Sequence, residues 1–388
     1  MRWPWQRSTA VKPRNTVSIS DPNIASLFGS APVLAGVDVN ERSALGISAF
    51  YRAVSLVSGT IAQLPLRALR DTASGPVRVR SVLDAPGGTD GQTPYEWVET
   101  AVVHLMLHGN AFALVAKLGS GAVGELRLVH PALVGMREPL PGDTIRPVGG
   151  LWYDVQDQIS GVVTTYDATG VLHLKAPSTD GLRGMSVLAA ARQSLGLSIA
   201  GESGAARLMS SGAMMGGIAS PEDDLDDDEL DAVRREITRH ASGWENAGSI
   251  ALVNRRITLS PWTMTARDAQ FLESRQFGVE DVARWTGVPP HLLMQTDKQT
   301  SWGSGVAEQN RGLARFTLAP WTSRIEQRLT RLLGTGRRAE FDYSRLERPN
   351  TEVDTGLVIS LVQAGVITVA EGRSRLGLDP SGGAGSAI

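Results

Sequence analysis

The chain has 388 residues, more than a single hydrophobic core usually organises, so two or more packed modules are expected. Its 38 basic and 40 acidic residues leave a formal charge of -2, which argues against a sequence-specific DNA reader, since such proteins usually carry a basic excess. The absence of cysteine excludes disulfides, zinc ribbons and thiol nucleophiles, and fits assembly in a reducing cytoplasm. No stretch approaches the roughly 20 uninterrupted apolar residues of a membrane helix. Even His104–Val115 is broken by His108, Gly109 and Asn110, so no membrane partner is predicted.

Residues 1–44 are rich in Ser, Pro, Asn and Gly and begin with a basic stretch that no apolar segment follows, which reads as a flexible N-terminal arm instead of a signal peptide. Phe50, Val54, Val57, Ile61 and Leu64 then recur at spacings of four and three and predict a helix that Pro65 stops. PLRALRDTASGPVRV predicts a hairpin turning at Ser74-Gly75. A second helix over about Tyr95–His108 ends at Gly109-Asn110, before the strand AFALVAK. Short strands are expected at Leu126–Val129, Leu151–Val155, Val162–Tyr166 and Val171–Leu174, which makes this an α+β module.

From Ser186 to about Met209 the sequence is Ala- and Leu-rich and free of proline, as a long helix requires. A small α/β insertion follows over 212–262, with an acidic helix near Asp226–His240 and strand-like runs SIALV and RITLSPW. A helix over about Ala266–Trp285 returns from it and ends at Val288-Pro289-Pro290. A polar loop, MQTDKQTSWGSG, leads to a further helix with Leu318, Trp321, Ile325, Leu329 and Leu332 on one face. Thr368 and Glu371 form a capping box for a short final helix, and 381–388 is a Gly/Ser tail.

Few motifs point to chemistry. His104 and His108 stand at i and i+4, a spacing that suits a shared metal, but Leu-Met-Leu between them lacks the glutamate of a zinc protease, so they read as structural and no metal or other cofactor is predicted. There is no G-x-x-x-x-G-K-[ST] loop and no G-x-S-x-G elbow, so no catalytic residue is nominated and an ATP-driven motor would have to be a separate partner. Gly181-Leu-Arg-Gly184 is a turn too short to cradle phosphate. The run PEDDLDDDELD lacks the spaced ligands of an EF-hand and reads as a helix N-terminus, capped by Asp226 with Glu229 reaching back.

Seven segments, in order from about Ala44 to Leu378, resemble portal proteins of the HK97-type bacteriophage family. They are YRAVSLVSGTIAQLPLRAL; HLMLHGNAFALVAK with ELRLVHP; VLHLKAPSTDGLRGMSVL; LMSSGAMMGGI; DAQFLESRQFGVEDVARWTGVPPHLL; VAEQNRGLARFTLAPW; and GVITVAEGRSRLGL. The resemblance implies a portal fold: a wing over 45–183, stem helices over 184–211 and 263–287, a clip over 212–262, a tunnel-loop region over 288–305, a wing inner helix and strand over 306–350, and a short crown over 351–380. It further implies a homo-oligomeric ring of about twelve copies at one capsid vertex of a virion assembled in a bacterial cytoplasm. The ring would pass double-stranded DNA without sequence preference. Its partners would be the large terminase, the major capsid protein and a head-tail connector or adaptor.

On that resemblance Gln295, Thr296, Asp297, Lys298, Gln299 and Thr300 face the DNA, and Asp226, Asp227 and Asp228 mark the partner-docking clip. A lining that accepts DNA without gripping it needs few cations, because every phosphate neutralised by Lys or Arg adds affinity and hence friction. Lys298 is the one base of that loop. Two other readings stand beside it: a metal-dependent nuclease, for which no compact carboxylate motif is visible, and another capsid-associated structural or adaptor protein.

Overall fold

A computed structural model of the chain describes residues 33–73, 75–89, 91–139, 145–210, 217–221, 257–261, 278–295, 311–346 and 351–376, with Asp226, Asp228, Asp231, Arg235 and Leu378 as single positions. After a short helix α1 (Glu41–Leu45), capped reciprocally by Asn40 and Ser43, comes α2 (Ser48–Ala62). Phe50, Val54, Val57 and Ile61 all lie on its buried face, as the spacing predicts. α2 leads into an antiparallel hairpin, β1 (Leu66–Thr72) and β2 (Gly75–Val79). Ser74, placed at that turn by the sequence, lies outside the described residues.

Helix α3 (Pro94–His108) starts with a capping box between Thr93 and Glu96 and with proline at its first position, where a missing N–H costs nothing. It ends at Gly109 in the left-handed conformation. Trp97 is fully buried, and its Nε1 donates to Leu126 O at 2.7 Å, tying α3 to the strand behind it.

The central sheet is antiparallel with order β4-β3-β8: β3 (Asn110–Lys117) lies between β4 (Val123–Val129) and β8 (Val171–Lys175). Along β3, Ala111 and Ala113 face the main core while Phe112 and Leu114 face a second cluster with Tyr153, Val155 and Val171. That two-sided burial is why the strand reads AFALV instead of alternating with polar residues. The second face is closed by a small sheet of β5 (Val134–Arg137), β6 (Trp152–Gln156) and β7 (Val163–Tyr166).

The predicted helix from Ser186 to Met209 is interrupted near its start. A single turn, α4 (Val187–Ala190), is followed by Ala191 at φ -83° and ψ 0°, and the long α5 (Arg192–Ser210) begins there. Two paired strands, β9 (Gly217–Pro221) and β10 (Ile257–Pro261), form an antiparallel ribbon within the insertion. β10 coincides with the predicted RITLSPW run, whereas β9 was not expected from GIASP, and SIALV lies outside the described residues. The return helix α6 is described over 278–286.

Residues Leu313–Leu318 form a π-helical stretch that runs into α7 (Ala319–Leu333). The widened turn lies just ahead of Pro320, whose ring would collide with the carbonyl of Phe316 in a regular helix and which has no N–H to offer it. Leu318, Ile325 and Leu329 are buried in the main core, with Trp321 and Leu332 packed at its edge. β11 (Arg337–Phe341) then crosses back to pair with β1, Leu66 opposite Phe341, giving a three-stranded sheet of order β11-β1-β2. The chain closes with α8 (Thr351–Gln363) and α9 (Val369–Arg375), the latter carrying the predicted Thr368–Glu371 capping box. The fold is a mixture of helices and antiparallel sheets, as the α+β reading expects.

Candidate functional site

The elements flanking the predicted loop come together at the root of the long helix. α6 packs antiparallel to α5: Trp285 Nε1 donates to Ser194 Oγ at 3.2 Å, and a Cβ placed on Gly278 would lie 3.2 Å from Ser198 Oγ. Glycine at 278 therefore lets the two helices approach closely. Beyond α6 the chain turns at Gly287, whose φ of +71° favours glycine and whose carbonyl accepts from Thr317 Oγ1 at 2.6 Å. Pro289 then leads into a 3-10 turn, Pro290–Leu293, with Leu293 buried and Leu292 O accepting from Arg52 Nε at 3.4 Å. Met294 follows in the left-handed region at φ 65°, and its side chain is 78% exposed. Gln295 N donates to Pro290 O at 3.1 Å, so the last described residue before the loop is held by the turn. Thr296, Asp297, Lys298, Gln299 and Thr300 lie outside the described residues.

The same end of α5 is approached by the segment Lys175–Ser186, which runs into α4. Asp180 Oδ1 accepts from Ser178 Oγ and from the backbone N–H of Leu182 and Arg183, and these bonds hold its pKa to about 2. Gly181 takes φ +74° in this turn. Gly184 then passes so close to Gly109 that a Cβ on it would stand 1.9 Å from Gly109 O. Asn110 joins the two segments: its Oδ1 accepts from Gly184 N at 2.9 Å, and its Nδ2 donates to His108 O at 3.1 Å. Ser186 caps α4 through Ala189 N while donating to Leu107 O at 2.6 Å, which satisfies a carbonyl at the end of α3.

Behind this junction His173 is buried. Its Nε2 meets Asn110 Oδ1 at 2.9 Å, its Nδ1 meets Tyr153 Oη at 3.2 Å, and its ring stacks on Phe112 at 4.7 Å. Burial, with Lys175 and Arg328 adding repulsion, depresses its pKa to about 3. The Lys175 pKa is lowered too, chiefly by burial and then by Arg328. The α7 arginines Arg328 and Arg331 thus lie near Lys175, at the end of β8 on the edge of the central sheet. In the insertion, Asp226 and Asp228 are exposed, while Asp227 lies outside the described residues. Asp228, Asp231 and Arg235 are helical, as the acidic-helix reading expects, and Arg235 Nε reaches Asp231 O at 3.2 Å.

The sequence pattern of the phage portal protein family matches residues 48–377. This chain belongs to the phage portal protein family. It is 33% identical over 318 residues to the probable portal protein of Streptomyces phage phiC31, covering 81% of this chain and 69% of that one. It is 28% identical over 374 residues to the portal protein of Enterobacteria phage HK97, covering 92% and 86% respectively, which bears out the resemblance drawn from the seven motifs. A chain from the neck of a native gene transfer agent particle, computed with C12 symmetry, shares the fold with a TM-score of 0.56 at 23% identity, over 94% of this chain and all of that one.

Portal proteins are structural parts of phage virions or gene transfer agent particles and form oligomeric rings. Among the described residues no helix is long and apolar enough to cross a membrane. The structure brings the root of the loop, the paired helices and the Lys175–Ser186 junction of this portal protein together. Gly181-Leu-Arg-Gly184 is the turn ahead of a helix that the sequence predicts, and the structure adds its close crossing with Gly109. The usable signal was the string S-x-D-G-x-x-G-x-S, an Asx turn followed by a helix cap, but the partner that makes Gly184 necessary is 75 positions away.

Proposed function

We propose that this portal protein forms a ring, of twelve copies by analogy with the C12 neck, at one vertex of a capsid, through which double-stranded DNA is packaged and later ejected. The observation that carries the reading is the antiparallel pairing of α5 and α6 on either side of an insertion, in a chain whose portal family match runs through both helices. In the wall of such a ring α5 and α6 are the stem, 212–262 the clip, and 288–305 the region presenting Gln295–Thr300 to DNA. The anchored turn at Pro290–Leu293 supports a loop that starts from a fixed point.

Ring contacts need apolar surface that a lone subunit leaves bare. Leu197 on α5 is 66% exposed and Phe316 before α7 is 75% exposed, and Val366 and Val369 between and on the last helices are similarly bare. A closed ring covers such patches heterologously, one patch on each subunit meeting a different patch on the next. The clip would dock the large terminase during packaging and the head-tail connector or adaptor afterwards, while the wing meets the major capsid protein.

Contacts from Lys298 and neutral loop side chains to phosphate position DNA without reading bases. Lys298→Glu, or deletion of Gln295–Thr300, is expected to leave rings intact by electron microscopy while lowering the DNA packaged or retained per particle. Full packaging and retention in both variants, with rings confirmed, would move the DNA-facing surface elsewhere.

A further inference from the structure

At the end of α3 a group of side chains converges that the conduit does not use. Glu41 comes from the first turn of α1, His104 and His108 from α3, and His130 from the turn after β4. The three imidazole centroids stand 5.1, 5.4 and 6.2 Å apart, each pair edge to face. Glu41 Oε2 is 3.4 Å from His108 Nε2 and 3.7 Å from His130 Nε2, and one ligand atom from each of Glu41, His108 and His130 lies within 4.8 Å of the others. Those separations are too long for good hydrogen bonds. The two glutamate distances are close to the roughly 3.3 Å that separates two ligand atoms bonded at 2.0–2.1 Å to one tetrahedral zinc. Among the described residues His104 Nδ1 is buried and has no hydrogen-bond partner, and the buried His108 Nε2 has only the long approach of Glu41 Oε2.

We propose that Glu41, His108 and His130 bind a zinc-like divalent cation, which pins α1 to α3 and to the turn at His130. The donor set selects the metal: two imidazole nitrogens and one carboxylate suit zinc and its neighbours, whereas magnesium and calcium prefer oxygen ligands throughout. His104 abuts the site, and water or its ring completes the coordination. His130 Nδ1 accepts a long bond, 3.3 Å, from Ala132 N, so ligation through Nε2 asks the ring to give up only that weak contact. The proposal is independent of the conduit reading, since it concerns how the entry to the wing is fastened.

The test uses the full chain stripped of metal, titrated with zinc, cobalt, magnesium and calcium ions. One zinc per chain is expected, with cobalt giving the visible absorption bands of a low-symmetry site. His130→Asn keeps an acceptor for Ala132, Glu41→Gln is isosteric, and the parent side chains are 44% and 39% exposed, so both variants should melt like the parent without metal. Each is expected to weaken zinc binding about tenfold or more and to remove the cobalt bands. No zinc uptake by the parent, equal uptake by parent and both variants, or magnesium binding as tight as zinc would each overturn the assignment.

Discussion

Gly181 and Gly184 stand three residues apart in one turn, yet alanine is expected to harm them differently. At Gly181 the backbone is left-handed and open space surrounds a new Cβ, so Gly181→Ala carries only the conformational penalty, about 1 kcal/mol. Gly184 has no such conformational demand. Its Cβ would stand 1.9 Å from Gly109 O and 2.7 Å from Ala176 N, while real Cβ atoms stay beyond 3.0 Å, so Gly109 must withdraw by about 1.1 Å or more. That movement breaks Ala176 N→Gly109 O at 2.9 Å and Gly184 N→Asn110 Oδ1 at 2.9 Å, two bonds in a half-buried junction. Losing both, with groups left unpaired, costs about 3 kcal/mol or more for Gly184→Ala. Urea unfolding followed by circular dichroism on the parent and both variants reads the difference, since both sites belong to the same junction. A Gly184→Ala protein as stable as Gly181→Ala would refute the close-crossing argument.

His173 supplies a pH dependence. Its pKa is about 3 in the fold against 6.5 ordinarily, so the stability it contributes is complete above pH 6.5 and is lost as pH falls toward 3. At pH 5 the loss is about 2 kcal/mol. His173→Gln, which keeps a neutral partner for Asn110, is expected to reduce the stability difference between pH 7.5 and pH 5 by about that amount in urea titrations, and an unchanged difference would show that the imidazole is not held neutral. Reversing Asp226, Asp227 and Asp228 to lysine is expected to weaken terminase or connector binding more than ring formation. Lost rings with normal partner affinity in those that remain would reduce the acidic run to a folding element.

Much of this fold could be read where burial is local. α2 was legible because a single face is buried, and α9 because Thr368 and Glu371 announce its start. The bounds of α5 were less so: nothing in LAAARQSL marks the irregular turn at Ala191. The resemblance implies a strand somewhere within 306–350, and the structure places it at β11, whose pairing with β1 spans most of the chain; no local pattern encodes a partner that distant. The histidine cluster shows the same limit. His104 and His108 are visible as a helical pair, whereas Glu41 and His130 are ordinary residues until tertiary structure sets them beside it. Of the residues proposed to face DNA, only Gln295 is among the described residues, where Pro290 O clamps its backbone N–H.

That clamp and the junction at Gly184 bear on how a conduit carries load. In the proposed conduit, moving DNA would pull on whatever touches it, and the pull would pass to the root of the loop. Here the root is tied to three separate elements: Leu292 to α2 through Arg52, Gly287 to the π-helical stretch through Thr317, and α6 to α5 through Trp285 and Ser194. α4, which leads into α5, is in turn tied to the end of α3 and to the start of β3 by Gly184, Asn110 and Ser186. Each tie is a hydrogen bond worth about 1 kcal/mol, weak alone. They act in parallel on helices, so displacing the turn at Pro290–Leu293 requires breaking several together.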